Sequence, residues 1–299
     1  MGQLVSRRNL FDGILGTFVC ALICLSAFPL LASEAQPQLA IVGAGIEQAE
    51  DGPVVPSDFS FLPGDYVYFS FQVSGFKASG GEYAAGRQVA LSYDLALLDQ
   101  TGSVLEQQEA GKITDEITPQ DKNWAPKRRA SFLLPPFIAA GTYGVRLTVH
   151  DEYGKADISR DFPFHVGGRK IEPASSISIQ NFRFLRNEHD SHPLESPDYR
   201  AGATVWARFD MTGFKTGPKN AVHLQYGVSV LRRDGSVIFT QPEAANEGMD
   251  SDYHPQFIPG VLSVTTTPSL ARGEYTMVVS VHDLLGKQDQ TSNYKFRIE

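Results

Sequence analysis

GTYGVRLTVHDEYGK occupies residues 141–155, and GEYTMVVSVHDLLGK occupies residues 273–287. Gly, Tyr, the run Val-His-Asp and the pair Gly-Lys recur at the same spacing, 132 residues apart. Within each copy apolar residues alternate with polar ones: Tyr143, Val145, Leu147 and Val149, then Tyr275, Met277, Val279 and Val281. A period of two is the mark of a half-buried strand. Asp151 and Asp283 then open a turn, because Asp bonds the backbone two residues on. Gly154 and Gly286 are expected to take the left-handed position that closes the hairpin. ISRDFPFHV and TSNYKFRI follow as the return strands.

The repetition extends upstream. PGDYVYFSFQVSGFK (63–77) matches AGATVWARFDMTGFK (201–215) at an offset of 138. VALSYDLALLDQTGSVL (89–105) matches VHLQYGVSVLRRDGSVI (222–238) at an offset of 133. The offset changes only between matches, as expected of two copies whose strands keep their length while loops vary. Gln100-Thr101-Gly102 and Arg233-Asp234-Gly235 read as hairpin turns. No sustained helical stripe follows residue 35. The pattern predicts an all-β chain of two tandem sandwich domains, 36–168 and 169–299, with about seven strands each. Gly167-Gly168-Arg169-Lys170 reads as the link between them.

Before each copy of the opening phrase stands Ile138-Ala139-Ala140-Gly141 or Leu270-Ala271-Arg272-Gly273. A Leu or Ile, a Gly turn and a Tyr entering a strand resemble the tyrosine corner of immunoglobulin-like sandwiches. Val145 and Met277 stand where antibody domains have a cysteine. The whole pattern resembles bacterial immunoglobulin-like modules of the fibronectin III or PKD-like kind. That resemblance implies a spacer, an adhesive unit or a ligand-binding accessory, with Tyr143, Asp151, Gly154, Tyr275, Asp283 and Gly286 as its structural signature.

Residues 1–35 read as an export leader: Arg7 and Arg8, then an uncharged run from Gly13 to Ala32, then Ser33-Glu34-Ala35. The run is also long enough to span a bilayer, so an uncleaved anchor over residues 13–32 is the alternative. Ser6-Arg7-Arg8-Asn9-Leu10-Phe11 is similar to a twin-arginine signal. Either route places the body outside the cytoplasm, periplasmic or extracellular. Both cysteines, Cys20 and Cys24, lie in this leader, so no disulfide supports the remainder.

The formal charge of −8, without a Lys/Arg cluster, argues against nucleic acid and against a polybasic membrane patch. Membrane contact is left to the leader alone, if it stays uncleaved. Motifs for a serine elbow, a zinc protease or a phosphate loop are missing from the sequence, and no cofactor is implied. The sequence therefore reads as a non-catalytic envelope protein acting in binding, adhesion or spacing, with an envelope protein or a glycan as partner. A carbohydrate- or calcium-dependent module and a hydrolase using loop carboxylates are the alternatives.

Candidate ligand groups are few. His189 and His192, with Asp190, offer imidazole and carboxylate to a metal. Asp250 and Asp252 offer oxygens to calcium. Trp124, Phe137, Tyr253 and Phe257 form a binding platform if they are exposed together, or cover the ends of the cores. His150-Asp151 and His282-Asp283 do not form dyads, because neighbours on a strand face opposite ways.

Overall fold

The computed structural model describes residues 38–80, 86–108, 110–121 and 123–299. The expected leader, 1–35, lies outside them. Among the described residues no helix is long and apolar enough to cross a membrane.

Among the described residues the first half contains nine strands: β1 (Ala40–Glu47), β2 (Ser60–Phe61), β3 (Tyr66–Ser74), β4 (Arg87–Leu98), β5 (Val104–Gln107), β6 (Gly111–Ile117), β7 (Lys127–Leu133), β8 (Gly141–Asp151) and β9 (Ala156–Val166). They build two sheets, β1-β3-β7 and β2-β9-β8-β4-β5, with β6 also pairing with β4. All pairs are antiparallel except β2 with β9. The alternation in the sequence decides which face is covered. Val67, Phe69, Phe71 and Val73 of β3 are buried, as are Tyr143, Val145, Leu147 and Val149 of β8. The two inner faces meet in one core, where Phe69 lies 5.0 Å from Phe162 and Phe71 lies 5.2 Å from Tyr93, ring centre to ring centre. Each such buried side chain stabilises the fold by about 1.5–3 kcal/mol.

The second half repeats this plan with eight strands: β10 (Ser178–Leu185), β11 (Asp198–Tyr199), β12 (Thr204–Thr212), β13 (Val222–Arg232), β14 (Val237–Met249), β15 (Ile258–Thr265), β16 (Gly273–Asp283) and β17 (Gln288–Ile298). The sheets are β10-β12-β15 and β11-β17-β16-β13-β14. A second core joins them, with Phe209, Met211, Met277 and Val279 at its centre. The counts exceed the expected seven because two-residue strands (β2 and β11) lie parallel to the last strand of each half. In addition, β5 and β6 do together what β14 does alone.

The copies agree in detail. The register of β8 on β9 runs from Gly141↔Val166 to Asp151↔Ala156, and that of β16 on β17 from Gly273↔Ile298 to Asp283↔Gln288. The first strand of each half is bulged, with Gly43 (φ 54) and Asn181 (φ 50) at equivalent places. Both tyrosine hydroxyls tie the corner back four residues: Tyr143 donates to the Ala139 carbonyl at 2.8 Å and Tyr275 to the Ala271 carbonyl at 2.7 Å.

Candidate functional site

The repeated His-Asp pair separates as strand geometry requires. Asp151 and Asp283 are buried inward, at 2% and 1% exposure. Asp151 Oδ1 accepts hydrogen bonds from the amides of Tyr153 (3.1 Å) and Gly154 (2.9 Å), and Oδ2 accepts from that of Lys77 (2.7 Å). Asp283 does the same with Leu285, Gly286 and Lys215 at 3.1, 2.9 and 2.8 Å. The carboxylate thus sews the turn after β8 or β16 to the segment after β3 or β12, which explains why Gly-Phe-Lys repeats along with Val-His-Asp. One expectation is corrected. The left-handed residue of each turn is Lys155 (φ 52) or Lys287 (φ 53), and Gly154 and Gly286 are not left-handed. Those glycines serve close approach instead: a Cβ on either would meet the Asp Oδ2 at 2.3 or 2.1 Å.

His150 and His282 face outward and each meets a carboxylate across the hairpin. His150 Nδ1 lies 2.6 Å from Asp157 Oδ1, and His282 Nδ1 lies 2.6 Å from Asp289 Oδ1. Register sets these pairs, since His150 stands opposite Asp157 and His282 opposite Asp289. Glu152 Oε2 stands 3.5 Å from His150 Nε2 and so occupies the side a nucleophile would need. Around His282 the surface is an open groove lined by Gln225, Leu284, Lys287 and Asp289.

The expected metal ligands do not converge. Among the described residues no group of three or more His, Cys, Asp or Glu is placed to share a metal ion. His189 and His192 are exposed in a loop shaped by side-chain caps: the His189 amide donates to Asn187 Oδ1 at 3.0 Å and the His192 amide to Asp190 Oδ1 at 2.9 Å. Asp250 and Asp252 are both exposed in the segment after β14.

Three of the four candidate aromatics come together, and they do so where the halves meet. Phe137, just before the first tyrosine corner, packs on the second core, while Tyr253, from the second half, packs on the first. Phe137 and Phe257 are 6.1 Å apart, edge to face. Phe257 itself is 3% exposed. Trp124 is elsewhere, half-buried against Phe76 at 5.8 Å.

Polar contacts reinforce this junction. The Phe137 amide donates to the Tyr253 hydroxyl at 3.2 Å, and the Gln256 amide donates to the Phe137 carbonyl at 3.0 Å. Gln256 Oε1 accepts from the Ala139 amide at 2.7 Å and lies 3.1 Å from the Tyr143 hydroxyl. Burial raises the pKa of both Tyr143 and Tyr253. The connection is bonded along its length: the Gly167 amide to the Phe61 carbonyl (2.7 Å), the Ala140 amide to the Arg169 carbonyl (2.7 Å), and Asn181 Nδ2 to the Lys170 carbonyl (2.9 Å). Arg169 pairs with the fully buried Asp210, and its guanidinium lies 5.2 Å from the centre of the Phe257 ring. Asn181 Nδ2 also reaches Asp210 Oδ2 at 3.0 Å.

No family model matches the sequence, and no curated protein matches it. Among solved structures the chain is similar to the C-terminal domain of the Streptococcus pyogenes antigen I/II-family protein AspA. The identity is 10% over 89% of this chain and 100% of that one, at a TM-score of 0.29. The C-terminal domain of the Streptococcus agalactiae AgI/II polypeptide BspA matches at 13% identity, over 86% of this chain and 97% of that one, at 0.27. A family 123 glycoside hydrolase from Clostridium perfringens matches at 10% identity, over 42% of this chain and 27% of that one, at 0.28. Likenesses this distant assign no role to any residue of this chain.

Proposed function

We propose that the chain is an exported, non-catalytic pair of tandem immunoglobulin-like modules, 36–168 and 169–299, that holds binding surfaces at a fixed spacing in the cell envelope. The observation that carries this reading is the junction. Phe137 and Tyr253 are exchanged between the cores, Gln256 caps the first tyrosine corner, and the connection is hydrogen-bonded on both sides. A junction built from backbone bonds and buried aromatics favours one fixed arrangement over the freely moving modules that a bare linker would allow. Its partner is an envelope protein or a glycan.

Small-angle X-ray scattering of the purified protein tests the reading. One fixed module arrangement is expected to fit the wild-type curve, and Gln256→Ala combined with Arg169→Ala is expected to broaden it. A wild-type curve that requires a wide spread of module orientations would refute the fixed spacing. Turnover of any substrate that one substitution abolishes would refute the non-catalytic part.

A further inference from the structure

The outer face of β10 and β12 gathers positive charge in a chain whose net charge is negative. Arg183 stands directly opposite Arg208 in the antiparallel register. Like charges so placed destabilise a sheet. The register shift between Gln180 and Arg183, with Asn181 left-handed, sets them opposite. Arg169 approaches from the connection, and its charge also acts on Arg183. Asp210 is a carboxylate acting on Arg183, and Arg169 and Asn181 already hold it. Burial, and next the charge of Arg169, lowers the pKa of Arg183.

Donors on this face are left over. An arginine carries five N–H donors in a planar fork that fits an oxyanion. Arg183 Nη1 donates to the Asn181 carbonyl at 3.2 Å, and Arg208 Nη2 donates to the Glu188 carbonyl. Arg208 Nε is buried with no acceptor among the described residues. Burying a polar group without a partner is costly. A bound anion relieves the opposition of like charges and can take up the outer guanidinium donors.

The neighbouring side chain narrows the ligand. Trp206 precedes Arg208 by two residues on β12 and shares its face, because Val205, Ala207 and Phe209 are buried on the other side. Residues so spaced lie about 6.6–6.8 Å apart along a strand. Trp206 is half-buried, so part of the residue stays open to solvent. An indole beside guanidinium groups suits a sugar ring that carries an acid group.

We propose that the outer face of β10–β12 binds a carboxylate or sulfate group carried on a sugar, with Arg183 and Arg208 on the oxyanion and Trp206 against the ring. This deepens the binding part of the function proposed above. It is independent of the fixed spacing, so a flexible scattering curve leaves it standing.

Tryptophan fluorescence of the purified protein in a Trp124→Phe background isolates Trp206, since the chain has two tryptophans. The titrants are a uronic acid trisaccharide, a sulfated trisaccharide, their neutral counterpart and inorganic sulfate. We expect saturable change with one or both acidic sugars, at least tenfold tighter than with the neutral one. Whichever acidic sugar binds tighter identifies the oxyanion. Arg183→Gln and Arg208→Gln are each expected to weaken binding about 10- to 100-fold, the range for hydrogen bonds to charged groups. Arg183→Gln removes a like-charge neighbour, so it is expected to fold at least as stably as the parent. No saturable change with either acidic sugar, binding by both Gln variants as tight as the parent's, or a response to inorganic sulfate alone would overturn the proposal.

Discussion

Gln256 Oε1 lies 2.7 Å from the Ala139 amide, and with that contact the second half of the chain caps the first tyrosine corner. Among the described residues the corner in the second half has no such visitor, so two copies of one motif differ in their surroundings. Tyr143→Phe removes a hydroxyl that reaches Ala139 and Gln256 and accepts from Gln100 Nε2 at 3.3 Å. Tyr275→Phe removes one that reaches Ala271. A typical hydrogen bond contributes about 1 kcal/mol. We expect both variants to be destabilised, Tyr143→Phe by more, and its excess over Tyr275→Phe to shrink once Gln256→Ala is present, with the part due to Gln100 remaining. Denaturant titrations of the parent, the three single variants and the Tyr143→Phe, Gln256→Ala double variant check this; equal losses in the Gln256 parent would show that the contact carries no weight.

The turns after β8 and β16 separate two roles that a glycine can have. Gly154→Ala places a Cβ against Asp151 Oδ2, although the backbone there is not left-handed. Loss of one or two of the buried carboxylate's hydrogen bonds follows, at about 1–3 kcal/mol. Lys155→Gly acts the other way, because Lys155 sits at φ 52, where a non-glycine residue is strained by about 1 kcal/mol or more. Thermal unfolding is expected to move down for Gly154→Ala and up for Lys155→Gly. The same opposition is expected at Gly286 and Lys287.

These turns also mark how far the sequence could be read. Alternation in β3, β8, β12 and β16 exposes the sandwich plan, because burial on one face of a pleated strand writes a period of two into the chain. The tyrosine corner is legible for a similar reason: its bond spans four residues. By residue type the left-handed position falls to the glycine, which tolerates it best, yet the Asp carboxylate needs the glycine and the lysine takes the strain. Asp157 and Asp289 were missed as partners of the histidines, because cross-strand pairing depends on turn length. Phe137 and Tyr253 are 116 residues apart, and nothing local tells either one that the other core will receive it. The opposition of Arg183 and Arg208 needs the bulge at Asn181, which shifts the register that alternation alone would give.

The Arg169–Asp210 pair is asymmetric, with Asp210 fully buried and Arg169 partly exposed. Removing one partner of a buried pair leaves an uncompensated charge, at about 3–5 kcal/mol. Arg169→Ala is expected to approach that loss, softened by Asn181, which keeps one bond to Asp210. Asp210→Asn in the Arg169→Ala background is expected to recover part of it. A full-strength loss that Asp210→Asn does not reduce would assign the effect to the stacking of Arg169 on Phe257 instead.

Alkaline pH offers a test that reaches both cores. Burial raises the pKa of Tyr143, Tyr199, Tyr226, Tyr253 and Tyr294 above the ordinary value near 10. For a group whose folded pKa is raised, the unfolded chain releases its proton first. Stability is then complete below about pH 10 and falls as pH rises through the folded values. Tyr199 has the largest shift, and its hydroxyl donates to the Leu185 carbonyl at 2.8 Å. Tyr199→Phe is therefore expected to lower stability at pH 8, through the lost hydrogen bond, and to flatten the decline between pH 10 and 11.5. Melting temperatures of the two proteins across that range decide the matter: parallel declines would mean that Tyr199 ionises as freely folded as unfolded.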